Sequence, residues 1–288
     1  MKHPRLLAAI VVVLAAVVAN AALSWSATDT ARDRSASTFA FAAGPQDLPP
    51  RSAAIVADAA TGEVLYADRP HRRLLIGSTA KLMTALVTLE RLPLDAVVTA
   101  PGYAGDGSES LIGLGSGEQM TAADLLSGLL VASGNDAAVA LAHAVAGSEP
   151  AFVELMNERA RQLGMRDTRY GNPIGLDDGT ASSAADLVAV TRALRRHPFF
   201  RATVAARQVT LESGAWRRTL HNTNRLLGGP LRVDGVKTGH TAAAGYALVG
   251  SATSGGRTVV AVVLGARSEA DRDEATTRLL RYGLRRLR

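Results

Sequence analysis

The chain has 288 residues, of which 47% are hydrophobic and 20% charged, with a net charge of +6 and no cysteine. That composition supports a substantial core in one large or two modest domains and excludes collagen-like, coiled-coil or wholly disordered chains, while the missing cysteines exclude disulfides and thiolate metal sites. The positive charge is scattered among arginines without aromatic–basic interleaving, which argues against a nucleic-acid partner and fits weak attraction to an anionic surface or polymer.

Lys2, His3 and Arg5 precede an uncharged run of 18 residues, Leu6 to Leu23. Residues 1–25 therefore read as a secretory signal or an N-terminal membrane anchor, with Ala19-Asn20-Ala21 as a small-residue cleavage site and Trp25 as an interfacial residue if the segment is retained. Under both readings the basic end stays cytoplasmic and the rest is exported, so the expected location is extracytoplasmic, secreted or tethered through residues 6–23. Residues 26–50, rich in Ser, Ala, Thr, Gly and Pro, read as a flexible linker.

Residues 51–288 are expected to fold as one domain. Ala54 to Ala57 and Glu63 to Ala67 form a hairpin closed at Gly62. Leu82 to Leu89 has apolar residues at 82, 83, 85, 86, 87 and 89 and no Gly or Pro, the pattern of a buried helix. Residues 101–117, glycine-rich and polar, read as a long exposed excursion. Gly113 to Gly117 lacks the glycine spacing and the Lys-Ser/Thr of a phosphate loop. Thr121 and Asp124 suggest a capping box for a helix reaching Ala132. Ser133-Gly134-Asn135 interrupts it, and helix resumes from Asp136 to Ala146, stopping at Gly147.

Further helices are expected from Pro150 to Gly164 and from Ser183 to Arg196, with the loop Asn172 to Gly179 between them. The stretch from about 82 to 206 is thus a helical subdomain. Strands follow at Gln208–Leu211, Trp216–Leu220 and Asp234–Gly239, then a hairpin Gly245–Ser251 and Thr258–Gly265 about Gly255-Gly256. A helix from Ser268 closes the chain, its arginines on a solvated face. The fold class is α/β: mainly antiparallel sheet flanked by helices, with the all-helical subdomain inserted between the strand-forming parts.

Chemistry concentrates at three short motifs. Ser78 and Lys81, three residues apart at a helix start, place a hydroxyl and an amine on one face beside orphan backbone N–H groups. The chain has 32 basic residues but only three lysines, Lys2, Lys81 and Lys237. Arg is effectively always charged, whereas a desolvated lysine can lose its proton and act as a base, so retaining Lys at two sites beyond residue 50 suggests a need that Arg does not meet. Ser133-Gly134-Asn135 and Lys237-Thr238-Gly239 complete the set.

Ser-x-x-Lys, Ser-x-Asn and Lys-Thr-Gly in this order resemble the signature of penicillin-binding proteins and β-lactamases. The wider text is similar to the serine D-alanyl-D-alanine carboxypeptidases over about residues 53–285. The similarity rests on Ala57 to Tyr66, Ser78 to Leu86, Leu129 to Ala138, Asn172 to Asp178, Asn222 to Leu227, Val233 to Thr241 and Ala244-Gly245-Tyr246. That resemblance implies the β-lactamase/transpeptidase fold and cleavage of the terminal D-Ala from peptidoglycan pentapeptide stems. Ser78 is then the nucleophile and Lys81 its base, with a pKa lowered by burial and by Lys237. Ser133 relays the proton to the leaving amine, and Asn135 holds the substrate amide and Lys81. Lys237 and Thr238 bind the substrate carboxylate, Gly239 permits close approach, and the backbone N–H groups of Ser78 and His240 form the oxyanion hole. It further implies inhibition by β-lactams and no metal or cofactor.

Thr180 to Ser183 departs from relatives that carry a His before Ser-Thr-Ala. A β-lactamase shares fold and acylation but needs a deacylating carboxylate, and Glu154 and Glu158 lack the expected context. A non-catalytic peptidoglycan-binding role leaves the reacting residues unexplained. A Ser-His-Asp hydrolase is disfavoured because no Gly-x-Ser-x-Gly occurs.

Overall fold

A computed structural model describes residues 49–176 and 179–287. The apolar N-terminal segment, nearly all of the linker, Asp177-Asp178 and Arg288 lie outside the described residues. No described helix is long and apolar enough to cross a membrane.

Five antiparallel strands form the main sheet in the order β2-β1-β11-β10-β9. They are β1 (Ala53–Asp58), β2 (Val64–Asp68), β9 (Val233–Thr241), β10 (Gly245–Ser254) and β11 (Arg257–Ala266). β1 and β11 read as near-continuous apolar runs because both faces of the sheet are covered. The period of two divides their side chains cleanly. Ala53, Ile55, Val260, Val262 and Leu264 enter the core beneath the helical middle of the chain. Ala54, Val56, Val259, Ala261 and Val263 meet Ala275, Leu279 and Leu280 of the last helix on the other face. That helix, Glu269–Arg286, starts where the sequence predicts and is capped by Ser268.

The remaining helices are α1 (Lys81–Arg91), α2 (Ala122–Val131), α3 (Asn135–Ala146), α4 (Glu149–Gln162), α5 (Ala184–Leu194) and α6 (Pro198–Ala205). The last helix is α7. Four expectations need correction. The stretch 82–206 is not uninterrupted helix: β4 (Val97–Thr99) pairs with β5 (Gln119–Thr121), and β3 (Leu74–Leu75) pairs with β6 (Ala181–Ser182). Such two- and three-residue strands are too short to show a period of two. Trp216 is not in a strand; β7 (Gln208–Leu211) pairs with β8 (Arg218–His221), a hairpin apart from the main sheet. Thr121 caps α2 through Asp124 N, but the box is not closed, because the Asp124 carboxylate accepts from Glu212 N, Ser213 N and Ser213 Oγ.

The excursion 101–117 is also not wholly exposed, since Ile112 and Leu114 are buried. Its second half is clamped to β8. The Arg218–Glu118 pair, with side chains only 5% and 6% exposed, meets at 2.8 Å. Arg218 Nη2 also donates to Gly113 O at 3.0 Å. Glu118→Ala would strand a buried guanidinium charge, so urea denaturation is expected to show a loss of about 3 kcal/mol.

Candidate active site

Ser78 lies in a short 3-10 turn, Gly77–Ala80, that leads directly into α1. The helical start delivers Lys81 beneath it, and Lys81 Nζ donates to Ser78 Oγ at 2.9 Å and to Ile174 O at 3.0 Å. The loop supplying that carbonyl is tied in place. Thr84 Oγ1 donates to Pro173 O at 2.6 Å, and Asn172 Oδ1 accepts from Ile174 N and Gly175 N. Gly175 has φ +85, and a Cβ there would lie 2.1 Å from Gly77 O, so no other residue fits between the loop and the Ser78 turn.

Lys81 is fully buried. Burial first, and the charge of Lys237 second, push its pKa well below the ordinary lysine value, while Glu109 and Asp136 oppose the shift. The shift favours the neutral amine beside the hydroxyl, the form able to accept a proton.

β9 presses its backbone against the Ser78 turn. A Cβ on Gly239 would sit 2.7 Å from Ile76 O, and one on Gly77 would sit 3.1 Å from His240 N. The imidazole of His240 stacks on Tyr246 with centroids 4.0 Å apart. Lys237 is buried and donates to Thr238 O at 2.9 Å, and Thr238 Oγ1 shares a 2.7 Å hydrogen bond with Thr223 Oγ1. Burial, with the Arg272 guanidinium adding to it, lowers the Lys237 pKa to about 7.

Ser133 joins α2 to α3 in the left-handed region, at φ 66. Its Oγ is buried without a hydrogen-bond partner among the described residues. A strained backbone and an unsatisfied hydroxyl each cost about 1–3 kcal/mol, a combination that points to function. Asn135, next in the motif, is buried at the start of α3. Its Nδ2 donates to Glu109 Oε2, not to a group on Lys81.

Glu109 is the residue that sequence reasoning missed. It sits in the segment read as exposed excursion, where no periodicity or motif marks it. Its placement depends on distant contacts: Asp136 Oδ2 accepts from Ile112 N at 3.0 Å and Leu114 N at 2.9 Å, and Asn135 N donates to Ser110 O at 2.8 Å. Tyr103 OH donates to the same Glu109 oxygen, and burial together with this bond raises the tyrosine pKa, keeping it a donor. A carboxylate is acceptor-only, so Glu109 orients the Asn135 NH2 toward itself and leaves Oδ1 to accept from another group. Glu109→Gln removes that constraint. Its acylation rate is expected to fall 10- to 100-fold, about 1.5–3 kcal/mol for a charge-assisted bond. The acid limb of the rate–pH profile should also move to lower pH, since Glu109 holds the Lys81 pKa up. An unmoved profile would mean that Glu109 does not influence Lys81. Glu154 and Glu158 both face solvent.

A serine within hydrogen-bond distance of a buried lysine of lowered pKa, set against the edge strand of an antiparallel sheet packed with helices, fits the acyl-serine class of penicillin-binding enzymes. The chain belongs to the D-alanyl-D-alanine carboxypeptidase family, Peptidase_S11, whose sequence model matches residues 41–268. It is 36% identical over 236 residues to D-alanyl-D-alanine carboxypeptidase DacF of Bacillus subtilis, covering 80% of this chain and 61% of that protein. Among solved structures, penicillin binding protein 6B from Escherichia coli superposes with a TM-score of 0.77 at 37% identity, covering 85% of this chain and 80% of that one. The Streptomyces K15 DD-transpeptidase superposes with a TM-score of 0.76 at 32% identity, covering 81% and 96%. The chain spans about three fifths of the length of curated relatives such as DacF (61%).

Proposed function

We propose that this chain is an extracytoplasmic serine peptidase that removes the terminal D-Ala from peptide stems ending in D-Ala-D-Ala and is acylated by β-lactams. The observation that carries this reading is the 2.9 Å contact between Ser78 Oγ and a fully buried Lys81 whose pKa is pushed down. Ser78 Oγ attacks the penultimate D-Ala carbonyl as its proton passes to Lys81. The C–N bond breaks, and the leaving D-Ala amine takes a proton through Ser133, whose buried hydroxyl awaits a partner. Water then hydrolyses the Ser78 ester.

Asn135 Oδ1 receives the substrate amide N–H, with its own NH2 held by Glu109. Protonated Lys237, with Thr238, receives the terminal carboxylate. β9 is an edge strand, so a stem peptide lies along it as an added strand, with Gly239 allowing backbone to approach backbone. The N–H groups of Ser78 and His240 meet the developing oxyanion. The His240 ring is engaged with Tyr246, which suits a role through its backbone. Export by residues 1–25, cleaved or retained as an anchor through residues 6–23, would bring the enzyme to peptidoglycan.

The test is the intact mass of the purified protein after mixing with a penicillin, beside a folded Ser78→Ala variant, together with D-Ala release from a peptide ending in D-Ala-D-Ala. A long-lived adduct absent from the variant, with D-Ala release, is the expected result. Fast drug turnover with a fleeting adduct would replace this reading with a β-lactamase, and neither adduct nor turnover would remove catalysis altogether.

A further inference from the structure

A second concentration of charge lies away from the catalytic groups. A cavity of about 390 Å³ is lined by Arg192, Arg195, Arg196, Arg201 and Arg257, with Asp58 as its one acidic residue. Arg257 pairs with Ser254 and Lys237 with Val249, so along β10 the two sites are five residues apart, about 17 Å.

These arginines are held by neutral groups more than by acids. Arg192 donates from Nε to Ala59 O at 3.1 Å and from Nη2 to Ala60 O at 2.8 Å, and Arg201 Nη1 donates to Arg195 O at 2.6 Å. Arg195 alone has a carboxylate partner, Asp234 at 3.2 Å; no ion pair joins Arg192, Arg196, Arg201 or Arg257 to an acid among the described residues. Asp58 Oδ1 is occupied by the N–H groups of Ala60 and Thr61. Carbonyl tethers fix a guanidinium in place without neutralising it, so the concavity accumulates positive charge.

Complementing helix dipoles does not account for the cluster. Arg192, Arg195 and Arg196 do lie at the C-terminal end of α5, where cations are favourable. Arg201, however, falls in the first turn of α6, at its positive end, where the sequence has no acidic residue, and Arg257 is on a strand. Several guanidiniums converging from a helix end, a helix start and a strand suit an anion with three or more oxygens. A carboxylate, with two, satisfies fewer of them.

We propose that this arginine-lined cavity binds a phosphate-bearing anion, separately from the catalytic site. The inference does not depend on the peptidase reading. It is tested by titrating the full chain with inorganic pyrophosphate by calorimetry, against sodium chloride at matched ionic strength. The variants are R196A/R257A, both exposed, and R91A/R166A, which removes the same charge elsewhere on the surface. Saturable binding is expected in the wild type and in R91A/R166A, weakened about tenfold or more in R196A/R257A, with the thermal unfolding midpoint in buffer alone confirming that each variant is folded. Vesicles containing phosphatidylglycerol then separate the sources. Flotation that depends on Arg196 and Arg257 assigns a lipid headgroup, and pyrophosphate binding without flotation assigns a soluble phosphate; either supports the site. No saturable binding beyond the salt control, or equal weakening in both variants, would overturn it.

Discussion

Lys81→Arg is expected to slow acylation of Ser78 by about 10³- to 10⁴-fold while leaving the fold intact. Both side chains are long and basic but only lysine can shed its proton at accessible pH, so the substitution probes that ability. In the native protein burial and the Lys237 charge lower the Lys81 pKa and so favour the neutral amine. A guanidinium in the same place stays protonated at every accessible pH and cannot take the Ser78 proton. Buried charge without an acidic partner also destabilises, so the comparison needs a thermal unfolding midpoint as well as a stopped-flow acylation rate. In the wild type the rate should rise with pH through the lowered Lys81 pKa, and in Lys81→Arg that limb should vanish. A variant acylating within tenfold of wild type would show that Lys81 is not the base.

Lys237→Met is expected to be both more stable and nearly inactive. The folded pKa of Lys237 is about 7, against an ordinary lysine value near 10.5. Between those values the unfolded chain holds a proton that the folded chain lacks, so stability rises with pH across that window and the burial penalty is complete below about pH 7. Methionine removes the charge, and despite losing the bond to Thr238 O it should raise the unfolding free energy at about pH 6 by roughly 2–4 kcal/mol. The gain should shrink to a few tenths of a kcal/mol by about pH 10.5, where half of the unfolded lysine is neutral too. Urea denaturation at about pH 6 and pH 10 measures it, and equal stability at the lower pH would contradict the assigned pKa.

With protonated Lys237 proposed to receive the substrate carboxylate, the same value predicts a basic limb in kcat/KM near 7. Lys81, its pKa also lowered, supplies a separate limb on which the rate rises with pH. A site that lowers the pKa of two buried lysines gives up stability for function.

Much of this was legible along the chain. Helix α1 announces itself by its apolar positions, and the three-residue spacing of Ser78 and Lys81 dictates their contact once a helix starts there. The Gly255-Gly256 hairpin and the Ser183 and Ser268 caps are likewise local, because turn chemistry and capping involve residues within a few positions of each other. Scarcity of lysine singled out Lys81 and Lys237 before any geometry was known.

What only the tertiary structure decided is everything that joins distant segments. Glu109 reaches Asn135 because Asp136 and Arg218 fasten an otherwise featureless loop, and those bonds cross 22 to 105 positions. The Ile174 carbonyl meets Lys81 across 93 positions, and Arg272 bears on Lys237 from the opposite face of the sheet. The five-arginine cavity draws on α5, α6 and β11. Periodicity and capping record what a residue does with its near neighbours. A long-range hydrogen bond or a converging charge leaves no such mark, because its partner is set by the path of the whole chain.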